Sequence, residues 1–134
     1  MHTGNTLLNS VRYFEERVHL TAKDVVLMAS PMAHQTGFLV GLLLPLYLGG
    51  RVVLQDIWNP TKAADIIEAE QVTMTMASTP FLADLTAEAE RRPAVLRSLR
   101  TFVSAGAPIP RILVRRATQT LCAHVISGWG LTEN

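Results

Sequence analysis

Two patterns of apolar residues take turns along this chain. Leu7, Leu8, Val11, Phe14 and Val18 recur at helical spacing, so residues 5–18 read as an amphipathic helix. DVVLMAS carries a short unbroken apolar run and predicts a buried strand near 25–29. The longer stretch GFLVGLLLPLYLGG predicts a buried helix over 36–48, ended by Gly49 and Gly50. RVVLQ predicts a second strand. In NPTKAADIIEAE, Asn59 suits a helix cap and Pro60 the first helical position. VTMTMAS predicts a third strand, PFLADLTAEAE a helix opened by Pro80, and LRTFVSAG a fourth strand. PRILVRRATQTL then predicts a helix and AHVISG a fifth strand.

Strands therefore recur about every 25 residues with a helix between each pair, a spacing that suits right-handed crossovers and a parallel sheet. Unbroken apolar strands fit a sheet covered on both faces. The expected fold class is α/β, built of parallel-sheet βα units with helices on both faces. Composition adds few constraints. The 134 residues are 49% apolar, enough for a sizeable core, and the net charge of +1 selects neither nucleic acid nor a membrane surface. The arginines from Arg91 to Arg116 have no acidic residue among them, but no aromatic ladder interleaves them, so they read as solvated helix faces. The single cysteine, Cys122, reads as a small buried hydrophobe, and a chain without disulfides fits a cytoplasmic location. The opening MHTGNTLLNS is not a secretory signal. The apolar stretch from Gly37 to Gly50 is too short to span a membrane and contains Pro45.

In open parallel sheets, ligands bind beyond the carboxyl ends of the strands. The segments there are Ser30 to Gly37, Ser78-Thr79-Pro80, Ser104 to Pro108 and Ser127 to Glu133, all rich in Ser, Gly, Pro or Thr. Three chemistries compete for them. Gly128 and Gly130 supply the start of a dinucleotide fingerprint, but its third glycine falls on Glu133, whose charge would repel a pyrophosphate. Ser104 with Gly106 behind it suggests a nucleophile elbow, but Phe102 stands where that turn needs glycine. A magnesium-bound nucleotide fits better. Glu133 would hold the metal, Thr132 would reach a phosphate oxygen, and Trp129 would offer a flat face to adenine. An ordinary turn at a strand end, with Trp129 in the core, explains GWGLTEN equally well.

Three blocks, in order and spacing, resemble the adenylate-forming enzymes. PMAHQTG resembles the Pro-x-x-His-x-x-Gly segment of that family, SAGAPIP its Gly-Ala-Pro adenine loop, and GWGLTEN its aromatic-Gly-x-Thr-Glu motif. Over its whole length the chain resembles the middle of the large N-terminal domain, close to acyl-CoA synthetases. The resemblance implies an ATP-dependent ligase that joins a carboxylic acid, fatty or otherwise apolar, to coenzyme A through an acyl-adenylate. It implies ATP, magnesium and coenzyme A as cofactors. Gly106, Ala107 and Pro108 would line the adenine pocket, and Trp129, between Gly128 and Gly130, would stack on the base. Thr132 would contact the α-phosphate and Glu133 would hold magnesium. His34, otherwise read as a structural histidine, would stand between the adenylation site and the path of the thiol. Gly4 stands where the family often has histidine. The family's phosphate loop belongs upstream of Met1, and its ribose-binding aspartate, hinge and C-terminal domain with catalytic lysine downstream of Asn134. Residues 1–134 are thus expected to be a partial AMP-binding domain, inactive as a ligase alone. The other readings are a nucleotide-binding remnant, an amino-acid-activating domain or an acyl-adenylate-only ligase.

Overall fold

The computed structural model describes residues 2–130. Helix α1 (Gly4–Val18) begins at Thr3, whose hydroxyl accepts the Thr6 N–H, and ends where His19 turns left-handed. Strands β1 (Val25–Met28), β2 (Arg51–Leu54), β3 (Met74–Ala77), β4 (Thr101–Ser104) and β5 (His124–Ser127) form one parallel sheet ordered β2-β1-β3-β4-β5. Helices α4 (Pro60–Glu70), α5 (Thr79–Arg91) and α6 (Arg111–Leu121) connect β2 to β5 in turn. Asn59 caps α4 by accepting the Lys62 N–H at 2.9 Å, as the sequence predicts.

Side chains alternate across each strand, and the two faces bury separate cores. Val26 and Met28 pack with Val11 of α1 and with Val40 and Leu44 of the β1–β2 connection. Val25 and Leu27 face the opposite way, toward Ile67 of α4, Leu85 of α5 and Ala117 of α6. The chain leaves β1 for β2 across one face and returns across the other to β3. That reversal places a topological switch between β1 and β3, where strand ends diverge and a crevice opens.

At the opposite end of the sheet, Asp24 ties three strands together. Its buried carboxylate accepts the Thr21 N–H at 2.8 Å and the Thr73 hydroxyl at 2.7 Å, and it pairs with Arg100. Burial works to raise the Asp24 carboxyl. The bonds from Thr73, the Thr21 backbone and Arg100 outweigh it, so the group lies below its ordinary value.

Three expectations change. The helix over 36–48 is divided into α2 (Gln35–Phe38), a π turn over Leu39–Leu43 and α3 (Leu44–Leu48). Pro45 has no N–H to give the Gly41 carbonyl, and the Leu44 N–H reaches back five residues to Leu39. This segment is also not buried all round. It covers the sheet with one face and exposes Phe38, Leu42, Leu46 and Tyr47 on the other. Cys122 is exposed rather than buried, because it is the left-handed residue that ends α6. No helix among the described residues is long and apolar enough to cross a membrane.

Candidate active site

The crevice at the carboxyl ends is a cavity of about 790 Å³. Its polar side is made by the strand-end segments: Ser30, His34 and Thr36 after β1, Ser78 after β3, Gly106 after β4, and Gly128, Trp129 and Gly130 after β5. Its apolar side is made by Val11 and Phe14 of α1, Leu39, Val40 and Leu44 from the β1–β2 connection, and Met76 and Val103 from the sheet.

His34 is fixed by its own backbone. Its N–H donates to the Pro31 carbonyl at 2.9 Å, which closes a turn, and its Nδ1 accepts the Thr36 N–H at 3.2 Å as the cap of α2. With Nδ1 occupied as an acceptor, Nε2 carries the proton of the neutral ring and is the nitrogen left for a ligand. Gly37 completes this turn by letting the Pro31 and Ser30 carbonyls close against its buried backbone. A Cβ there would sit 2.1 Å from the Pro31 carbonyl oxygen.

The loop after β4 is hung from β3 and α5. The Ala105 N–H donates to the Ala77 carbonyl at 3.2 Å. The Thr79 hydroxyl stands 3.2 Å from the Ala107 carbonyl oxygen and 3.3 Å from that of Pro108. Gly106 has φ +85, a conformation that favours glycine, and a Cβ there would meet nothing within 4 Å. Gly106 borders the cavity, whereas Ala107 and Pro108 continue the loop at the surface outside its wall. Trp129 is 84% exposed, so its indole face is open to a flat partner, and it is not a core tryptophan.

The sequence-predicted residues His34, Gly106, Gly128, Trp129 and Gly130 thus converge on one cavity. Thr132 and Glu133 lie outside the described residues. No carboxylate lines the cavity among the described residues, and no three His, Cys, Asp or Glu converge there as a metal site. An open indole beside bare glycine backbone fits a purine, so these residues suit an adenine nucleotide. Sequence reasoning missed the wall supplied by Val11 and Phe14. Their helical spacing marked an inward face of α1, but not that this face borders a crevice.

Comparison with known proteins shows the family of the chain. The family described as AMP-binding enzyme matches residues 1–134. A medium-chain fatty-acid–CoA ligase of Escherichia coli (strain K12) is 37% identical over 134 residues, covering 100% of this chain and 24% of the relative. A feruloyl-CoA synthase of Amycolatopsis sp is 32% identical, covering 97% of this chain and 26% of the relative. The structure of O-succinylbenzoate coenzyme A synthetase from Bacillus subtilis, in complex with ATP and magnesium ion, superposes with a TM-score of 0.88 at 27% identity. That superposition covers 98% of this chain and 26% of the synthetase. The chain spans about a quarter of the length of these relatives.

Proposed function

The chain belongs to the AMP-binding enzyme family, and on that premise we propose that it forms the centre of the adenylation domain of an ATP-dependent acyl-CoA ligase acting on an apolar carboxylic acid. The observation that carries this reading is the division of one cavity into a polar rim of strand-end loops and an apolar wall. An acyl-adenylate has the same division, with a nucleotide at one end and a hydrocarbon at the other.

In the first half-reaction a carboxylate oxygen of the acid attacks the α-phosphorus of ATP and pyrophosphate leaves. In the second, the sulfur of coenzyme A attacks the acyl carbon and AMP leaves. Both steps require two reactants to be held in line while negative charge is offset. Trp129 and Gly106 hold the adenine, and Ala107 and Pro108 complete that loop. Gly128 and Gly130 let backbone approach the nucleotide. Nε2 of His34 donates to the acid's carboxylate and borders the route of the thiol. Thr132 contacts the α-phosphate and Glu133 holds magnesium, which neutralises phosphate charge when bound. Val11, Phe14, Leu39, Val40 and Leu44 receive the acyl chain.

The test uses Trp129 as reporter, with Trp58→Phe removing the other tryptophan. AMP and a series of non-hydrolysable acyl-sulfamoyl adenosines are titrated while indole fluorescence is followed. The acyl mimics should bind more tightly than AMP, by up to about fourfold for each buried methylene. Mimics no tighter than AMP would remove the apolar-acid assignment. Failure of AMP and every mimic to bind would remove the adenylation reading itself.

A further inference from the structure

Ser78 is the N-cap of α5, the place where a serine or threonine side chain normally serves the helix's own free N–H groups, and Thr79 is the first helical residue after it. Here neither side chain does so. Ser78 makes no capping bond, and the Thr79 hydroxyl turns away from the helix toward the Ala107 and Pro108 carbonyls. The loop it reaches has little else to hold its middle. Pro108 and Pro110 have no N–H to donate. Ala105 is bonded at one end and Ile109 packs on the core at the other. Among the described residues, Thr79 is the only side chain hydrogen-bonded to the carbonyls between them.

We propose that Thr79 is a positioning residue, whose hydroxyl holds the Gly106–Pro108 loop at the height where it meets adenine. The inference rests on the reading of that loop as the adenine loop. Thr79 touches no nucleotide. It acts by sharing its one hydroxyl proton between two adjacent carbonyls, a tether that sets the loop before the base arrives. Preorganisation of this kind appears in affinity and leaves the stability of the fold nearly unchanged.

The experiment measures AMP affinity and melting temperature for the wild-type chain, Thr79→Val, Thr79→Ser and Gly106→Ala. Valine keeps the shape of threonine and removes the hydroxyl; serine keeps the hydroxyl. Thr79→Val should weaken AMP binding about fivefold, the effect of losing one hydrogen bond. Its melting temperature should stay within about 3 °C of wild type, and Thr79→Ser should restore the affinity. Gly106→Ala strains the loop from within and should also weaken AMP. If Gly106→Ala weakens AMP and Thr79→Val does not, the tether is overturned and the adenine loop stands. If neither substitution changes AMP affinity, or the wild-type chain binds no AMP, the adenine-loop reading falls and the proposal with it. A Thr79→Val chain that melts much earlier and is not rescued by serine would make Thr79 a structural residue, against the proposal.

Discussion

At Gly37 an added methyl group would sit 2.1 Å from the Pro31 carbonyl oxygen and 2.8 Å from that of Ser30. Both atoms are backbone, so neither can swing aside. Gly37→Ala should destabilise the chain by about 2 kcal/mol, which a thermal melt would show as a fall of roughly 5–8 °C. It should also displace His34, whose turn is closed on Pro31. An unchanged melt would mean that the turn opens freely. Trp129 makes the opposite case, since its ring is exposed and little in the fold depends on it. Trp129→Ala should weaken AMP binding by about 1–3 kcal/mol, the usual worth of a base stacked on an aromatic ring, with no change in melting temperature. If Glu133 holds magnesium as proposed, its effect belongs to the chemical step. In a ligase containing this segment, Glu133→Gln should slow pyrophosphate exchange at least about a hundredfold. His34→Ala should leave ATP affinity unchanged and alter use of the acid or thiol. Pyrophosphate exchange that survives Glu133→Gln would end the magnesium assignment. The sequence showed these residue types and their spacing. It did not show why glycine is required at 37, because the clash is with a turn that exists only in the folded chain.

The residues just before β1, β3 and β4 are joined through Asp24, and its chemistry sets a pH dependence. The folded carboxyl lies below the ordinary value of 3.8. The stability it contributes is therefore complete above that value, and it is lost as pH falls through the lower, folded-state value. Asp24→Asn should cost about 2 kcal/mol near neutral pH, mainly through imperfectly satisfied partners of the buried site. The gap between the melting temperatures of wild type and variant should stay constant down to about pH 5 and narrow below about pH 4. A gap that widens in acid would show that the carboxyl is held above its ordinary value. Among helices, α4 was legible to its cap because Asn59 and Pro60 act locally. The segment after β1 was legible as helical but not in its register. Its π turn depends on Pro45 and also on Gly41 lying against Met28, where a Cβ would stand 2.6 Å from the Met28 Cγ.

Across the whole molecule, apolar side chains remain on the surface in places a finished domain seldom leaves bare. Phe38, Leu42 and Leu46 recur every four residues on the outer side of α2 to α3, and Leu54 and Ile57 flank the β2 edge. Exposed edges and apolar stripes drive association. Sedimentation of the chain should show a mass that rises with concentration, and Leu46→Lys with Leu54→Lys should reduce it. A monodisperse monomer at every concentration would show that these faces are harmless. The sequence by itself determined the α/β class, the order of helices and strands and which loops gather at the carboxyl ends. Those features follow from local periodicity, helix caps and breakers, all of which act over a few residues. Only the tertiary structure decided the strand order, and so the switch between β1 and β3 where the cavity opens. It also decided that α1 supplies an apolar wall and that Thr79 reaches across to the Ala107 carbonyl, 28 residues further along the chain. Contacts between segments far apart in the chain leave no periodic trace in either segment, since each is satisfied by whatever the fold brings alongside it.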